Sequence, residues 1–503
     1  HMNAEWGRRT VQDLDLLRRK GGEKMREFLL NFDYISGDPF IEAGRRVVIN
    51  RIQKKQVVLQ EIMELIKWAL TFYVDKWHGK LNQISLNGTI TQPAYKGKQK
   101  EKTIEYFNSV FENMGLNHGN CRTCGRLASL FPADRSIMPL TGSNTNPNFH
   151  PCFEKGIMIC PECLVSLFFL PFAVMNVGNC LMINTISDEL FECWLEETLM
   201  LTIGQNIFNE GIVNGKMKLL QNQLYELAKK FANLDRKILE QENIVFYYFT
   251  NFGASPECSL IQLPKGLVLF LQRITTERQN IGDDFVGIVF SNIMSRNSTY
   301  AEEWNRFIWK HYVVKKEKEF YDQSTNEYYQ KNKKSVEVLS HEGIIQRYNP
   351  IIERLVQGKS ILKNLRKSKI SSGLAVIYCK EVLRMEKERI ATLIQLADKI
   401  GSMIEKQNRA DILINLEKCR NISSFRLALL KAMKRYVKTE SEEPLFTTED
   451  YLYRILPDGE PWTNARDLIL IRLYERLHKW LAGQELDNEI ETEINIKYDS
   501  EEE

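Results

Sequence analysis

Two C-x-x-C units, Cys121-Arg-Thr-Cys124 and Cys160-Pro-Glu-Cys163, are the residues of this chain whose types and spacing speak most directly of chemistry. Two intervening residues let both thiolates of a unit face one ion, and Gly125 permits the tight turn behind the first pair. Two such knuckles complete a tetrahedral four-sulfur site, which selects zinc over harder cations, with iron as the alternative. Four thiolates close the coordination sphere, so the site stiffens a fold rather than hydrolysing a substrate. The spacer, residues 125 to 159, is longer than the ~15 to 20 residues of a compact ribbon. It therefore clamps a polar excursion, Thr141-Gly-Ser-Asn-Thr-Asn-Pro-Asn-Phe-His150, with His150 and Cys152 as alternative ligands. The short side chains of Ser143, Asn144, Asn146 and Asn148 suit contacts to base edges or phosphates, and suit an ordinary polar loop equally well.

Signatures of other chemistry are missing. The sequence holds no P-loop, no G-x-G-x-x-G after a strand and no H-E-x-x-H, since His341-Glu342 lacks a second histidine. Asp283-Asp284 is the best carboxylate pair and fits a turn between strands. Cys258, Cys379 and Cys419 have no neighbouring histidine to activate them. The chain is expected to be no enzyme.

The elements that must position the cysteines alternate between helix and strand. Asp38 and Pro39 start a helix, and Val58, Ile62, Leu65, Ile66, Ala69, Phe72 and Tyr73 give a long amphipathic one. Asn87-Gly88 between Ile84 and Ile90 signals a hairpin. Residues 164 to 182 are apolar but interrupted by Pro171, Asn176, Gly178 and Asn179, which favours a buried core helix over a membrane span. Runs at 244–249, 259–263, 267–271 and 285–290 read as strands of a sheet. From about residue 340 apolar residues recur at helical spacing, predicting an antiparallel bundle of four to five helices. The fold class is thus α+β: an N-terminal α+β region over 1–120, a zinc-binding insertion over 121–163, a continuation with a β-rich core over 164–335, a helical bundle over 336–484 and an acidic, disordered tail over 485–503.

The formal net charge of +3 is a sum of opposing parts. Residues 481 to 503 hold nine acids and one base, whereas residues 341 to 440 hold 21 bases against 10 acids. Lys363, Arg366 and Lys367 form one dense group, and Lys431, Lys434, Arg435 and Lys438 another. Such helices can follow a phosphate backbone, and equally can be a solvated face. A second basic stretch, with Lys96, Lys98, Lys100 and Lys102, reads as a loop. Ten cysteines with paired C-x-x-C units, and no signal peptide, point to a reducing, intracellular compartment.

Taken in order, Ser36-Gly-Asp-Pro-Phe-Ile-Glu-Ala-Gly44, the two C-x-x-C pairs, the aromatic strand Phe246-Tyr-Tyr-Phe249, the Leu263-Pro264 break and the helical C-terminal region resemble the CXXC-CXXC family of CRISPR proteins. That family is the large subunit of the type I-B surveillance complex, Cascade. The resemblance implies a prokaryotic, cytoplasmic and non-catalytic subunit that recognises the protospacer-adjacent motif in duplex DNA, promotes strand opening and stabilises the R-loop. It implies CRISPR RNA, target double-stranded DNA, the other Cascade subunits and a recruited nuclease-helicase as partners, with no membrane. It carries over the four cysteines as ligands of a structural Zn2+. Its C-terminal bundle is similar to the small subunit, which such systems can also make from an internal start; Met385 and Met403 are candidates here. Rival readings are a divalent-metal nuclease on the same nucleic acid and a zinc-stiffened scaffold that binds only protein.

Overall fold

The computed structural model describes residues 29–141, 153–204, 211–251, 256–277, 299–314, 318–368, 370–439 and 443–482. It divides into two compact units, His1–Gln223 with Glu242–Gln262, and Leu224–Gln241 with Leu263–Glu503. Both mix helix with strand, and helix predominates towards the C-terminus.

In the first unit, strand β1 (Leu29–Asn31) pairs antiparallel with β2 (Gln56–Val58). Helix α1 (Pro39–Ile52) starts where the sequence says it should. The Asp38 carboxylate accepts the N–H groups of Phe40 and Ile41 at 2.9 Å each, and Pro39 occupies the first turn, where no donor is missed. Helix α2 (Leu59–Leu70) buries Leu59, Ile62, Met63, Ile66 and Ala69. Helix α3 (Gln99–Glu112) begins inside the stretch expected as a basic loop. Lys100 and Lys102 are consequently helical and paired with Asp75 and Glu105 at 2.6 Å, while Lys96 and Lys98 stay exposed ahead of the helix.

Helix α4 (Pro161–Phe169) packs directly on α1. At Gly44 a Cβ would lie 1.8 Å from the Ser166 carbonyl oxygen of α4, so the two backbones meet at a distance only glycine allows. Beyond α4 the apolar run does not continue as one helix. Pro171 falls in a short 3-10 turn, and the chain, which has already formed β3 (His118–Asn120), β4 (Leu127–Ser129), β5 (Phe131–Ala133) and β6 (Ile157–Ile159), then forms β7 (Met175–Val177) and β8 (Asn179–Asn184). Strand β8 pairs with β9 (Ile244–Thr250) in a sheet of order β10-β9-β8-β7, with β10 spanning Glu257–Leu263. Among the described residues no helix is long and apolar enough to cross a membrane. Trp68, Phe72, Tyr73 and Trp77 pack with Phe168, Phe169 and Phe172 into an aromatic core; Tyr73 and Phe172 stack at 5.1 Å. Asn87-Gly88 makes no hairpin. Asn87 is left-handed at φ 60, but Leu86 donates to the Arg135 carbonyl and the flanking Ile84 and Ile90 turn into the core as loop residues.

In the second unit, residues 267–271 are helical rather than extended: they lie in α5 (Lys265–Thr276). Leu267, Val268, Leu269, Phe270 and Leu271 are all buried, and an apolar run buried on every side fits either period. The run at 285–290 and the pair Asp283-Asp284 lie outside the described residues. Helix α6 (Tyr300–Trp309) precedes a sheet the sequence did not announce, β11 (Glu319–Asp322), β12 (Glu327–Lys331) and β13 (Val336–Val338). The helical region then runs through α7 (Leu362–Lys367), α8 (Ser372–Glu381), α9 (Lys387–Gln407), α10 (Asp411–Glu417), α11 (Ile422–Tyr436) and α12 (Trp462–Ala482), more and shorter helices than expected. Local caps divide them, Ser371 before α8 and an Asn421–Ser424 capping box before α11. The two longest run parallel rather than antiparallel. Arg472 meets Asp398, Arg476 meets Ser402 and Trp480 meets Asn408, each at 2.8 Å, so both chains advance in one direction. The residues between Gln407 and Trp462 supply the return path.

The Gly44–Ser166 approach predicts that Gly44→Ala lowers the stability of the first unit by roughly 2 kcal/mol or more, because backbone rather than a flexible side chain must move. Thermal unfolding checks it against Gly204→Ala, where a Cβ meets nothing within 4 Å and the midpoint should hold.

Candidate metal centre

Each cysteine pair is positioned by a different device. The first sits in the turn joining β3 (His118–Asn120) to β4 (Leu127–Ser129), with Asn120 opposite Leu127. Cys121 donates its N–H to the Arg126 carbonyl, Gly125 donates to the Cys121 carbonyl, and Gly125 takes φ 74, the left-handed conformation anticipated for it. The second pair opens α4, with Cys160 at the cap, Pro161 in the first turn and Cys163 one turn in. Strand β5 (Phe131–Ala133) pairs with β6 (Ile157–Ile159), Phe131 opposite Ile159, and so returns the chain across the long spacer. Arg122 N–H donates to the Met158 carbonyl at 2.9 Å and ties the knuckles edge to edge.

The four sulfurs lie within 4.8 Å of one another. Cys121 and Cys163 are 3.8 Å apart, as are Cys124 and Cys160. Zn–S bonds of about 2.3 Å in a tetrahedron require S···S edges of about 3.8 Å, and a disulfide would require about 2.05 Å. The donor set therefore fits one tetrahedral, thiophilic ion and can hold it, with no position left open. Cys121, Cys160 and Cys163 are buried, and Cys124 is partly exposed. Among the described residues this is the one such group of potential ligands. His150 and Cys152 lie outside the described residues.

Electrostatics of the cluster call for a cation. Contacts with Cys160 and Cys163 hold the Cys121 thiol far below its usual value and bring Cys124 down to about 3. The same contacts, with Cys121 and Cys124, push Cys160 and Cys163 up, so four adjacent thiols cannot all ionise unaided. Part of the positive charge is built in. Arg126 donates from Nε to Cys124 Sγ at 3.4 Å and from a terminal nitrogen to Cys160 Sγ at 3.6 Å. Against the cost of burial, Cys124 and Glu162 hold its guanidinium above the ordinary value. A divalent ion with four thiolates carries −2, which this arginine partly offsets.

The N-terminal segment completes the surround. Tyr34 Oη lies 3.4 Å from Cys163 Sγ and its ring stacks under the Arg126 guanidinium at 4.0 Å; burial, then Cys163, raises its phenol. Thr123 Oγ1 bonds both Cys121 and Cys163, and the Cys160 N–H donates to Cys121 Sγ at 3.3 Å. Gly37 N–H reaches the Thr123 carbonyl at 3.3 Å, and Asn31 O accepts from Arg126 at 2.9 Å. Tyr34, Thr123, Arg126 and Glu162 escaped the sequence reading as a set; the available signal was an arginine two residues past the first knuckle, where its donors reach back to sulfur.

Residues 115–175 match the family described as CRISPR-associated protein (Cas_CXXC_CXXC). The match begins just before β3 and ends at the start of β7, so it covers both knuckles and α4. It supports a CRISPR association for the chain. No curated protein and no solved structure matches the chain.

The nucleic-acid candidates are scattered. Arg366 on α7 is largely covered, its Nε 3.2 Å from Asp467, with Glu417 at 4.0 Å, so its charge is spent inside the unit. Arg435 on α11 pairs with Asp411. Lys363 and Lys367 are exposed on α7, and Lys431, Lys434 and Lys438 are exposed along and just beyond α11. Lys96, Lys98 and Lys100 belong to the other unit. Ser143, Asn144, Asn146, Asn148 and the acidic tail lie outside the described residues.

The purified chain should carry one metal ion by elemental analysis. Cys121→Ser or Cys163→Ser should remove it, whereas Cys258→Ser, on an exposed cysteine outside the cluster, should not. Arg126→Gln should keep the ion but weaken retention in chelator competition by about 10- to 100-fold, the usual effect of losing an outer-shell partner.

Proposed function

We propose that this chain is the large subunit of a type I-B CRISPR surveillance complex, which recognises the protospacer-adjacent motif in duplex DNA, starts strand opening and stabilises the R-loop. The observation that carries the reading is the four-sulfur centre, matched over residues 115–175 to a CRISPR-associated family and covered by the Ser36–Gly44 stretch of the same resemblance. A closed four-thiolate site fits structural zinc better than a hydrolytic ion and supports a non-catalytic role, with cleavage left to a recruited nuclease-helicase. Exposed Lys431 and Lys434 on α11, with Lys438 just beyond it, fit phosphate contacts of the kind that guide strands. The partners are then the CRISPR RNA, the target duplex and the other subunits, in the cytoplasm of a prokaryote.

The helical region bears on an internal start. Met385 precedes α9, so a product beginning there keeps α9 to α12 whole, including the parallel α9–α12 pair. Met403 lies buried within α9 and would divide it. Met385 is the start that leaves a packable set of helices.

The decisive experiment compares the assembled complex with and without this chain for binding to duplexes that carry or lack the motif. Motif-dependent binding should disappear without the chain, and unchanged preference sinks the reading. Incubation of the purified chain with magnesium or manganese should leave single and double strands intact; cleavage would favour a nuclease.

A further inference from the structure

The sheet β11-β12-β13 presents two unlike faces. One faces inward. Tyr328 is buried and donates its hydroxyl to the carbonyls of Trp309 and Tyr312, Trp309 Nε1 donates to the Asn326 carbonyl at 2.9 Å, and buried Glu319 pairs with Arg347. These bonds fix the sheet rigidly on the end of α6. Strand alternation then sends Phe320, Tyr329, Lys331, Val336 and Val338 to the opposite side.

That outer side is an aromatic row with lysines at one end and two acids at the other. Phe320 stands opposite Tyr329, which stands opposite Val338, in one line across the three strands. The Phe320 and Tyr329 rings are 5.6 Å apart and within 20° of parallel. Phe320 is 44% exposed, Val336 54% and Val338 57%, far more than a sheet normally leaves open on large apolar side chains. Charge is polarised along the strands. Asp322 and Glu327 lie at one end, and there Glu327 accepts the Tyr329 hydroxyl. The other end carries Lys318 and Lys331, with Lys333 and Lys334 in the β12–β13 turn, all exposed; among the described residues none of the four forms an ion pair.

We infer that this face binds single-stranded nucleic acid, with bases stacked on Phe320 and Tyr329 and the phosphate backbone following the lysine end. Single strands fit because their bases offer free π-faces, which a duplex keeps within its own stack, and because stacking on aromatic side chains beside a basic track needs no particular base sequence. Charge complementarity selects a polyanion over an ordinary apolar protein partner. The inference concerns single strands and the isolated full chain, so its failure is separate from failure of motif recognition by the assembled complex.

The test is fluorescence anisotropy of the full chain with labelled oligothymidine, oligouridine and duplex DNA, the single strands about 12 nucleotides long, within the range such folds cover. Phe320→Ala with Tyr329→Ala should weaken single-strand binding by roughly 100-fold, about tenfold per stacked ring, and leave duplex binding within about twofold. Phe320→Trp should retain binding while Phe320→Leu loses it, which separates ring stacking from apolar bulk and from misfolding. Lys331→Glu, Lys333→Glu and Lys334→Glu together should flatten the salt dependence on single strands by about 2 in log–log slope. A loss on either single strand supports the inference. Unchanged affinity for both, or an equal loss on duplex, overturns it. So does self-association abolished by Val338→Lys with oligonucleotide binding intact, which would make the β13 edge a protein-pairing surface.

Discussion

The approach of α1 to α4 at Gly44 is the contact on which the metal centre depends. Helix α4 carries both cysteines of the second knuckle, and the segment leading into α1 carries Tyr34 and Gly37, which touch the sulfurs and the first knuckle. Spacing between the helices therefore sets spacing between ligand and cover. A side chain at position 44 would push α4 outward, and the sulfur cluster would separate from the arginine, tyrosine and threonine groups that surround it. The stretch Ser36–Gly44 makes sense as one mechanical part: Asp38 caps the helix, Pro39 starts it, Glu42 ties Arg45 and Arg46, and Gly44 lets it dock.

The positive charge of the helical region is divided between paired and exposed side chains. Three of its arginines are engaged in pairs, Arg366 with Asp467, Arg389 with Glu460 and Arg435 with Asp411, whereas Arg354, Arg384, Arg409, Arg420 and Arg426 are exposed. Arg472 of α12 similarly joins Asp398. The planar guanidinium bridges carboxylates in fixed geometry, which suits it to hold helices together. Lysines 363, 367, 431, 434 and 438 are exposed. A surplus counted from sequence thus overstates the charge available to a polyanion, which is limited to the exposed lysines and arginines.

Much of this was legible in the sequence, and the failures have physical causes. The four cysteines, the turn at Gly125, the cap at Asp38 and the strand runs at 244–249 and 259–263 follow from local chemistry that a short window contains. Residues 267–271 misled because burial on all sides erases the distinction between periods of 2 and 3.6. Asn87-Gly88 misled because its neighbours found core contacts instead of each other. The sheet β11–β13 went unnoticed because its exposed face is as aromatic as its buried one, which hides the alternation that marks a half-buried strand. Tyr34, Arg126 and Glu162 are invisible as a group because only folding brings them to the sulfurs.

The division of the ligands between a hairpin and a later helix gives the centre a history in time. A ribosome adds about 5–20 residues per second, so Cys160 follows Cys124 by a few seconds. During that interval the first knuckle is a bidentate chelator with neither its partner nor the carbonyl of Met158 to brace it. Tyr34 and Asp38, already synthesised, wait for α4 to arrive. Capture of an ion there would be clocked by chain growth, and it could be complete before β9, some eighty residues further on, has left the exit tunnel to close the sheet.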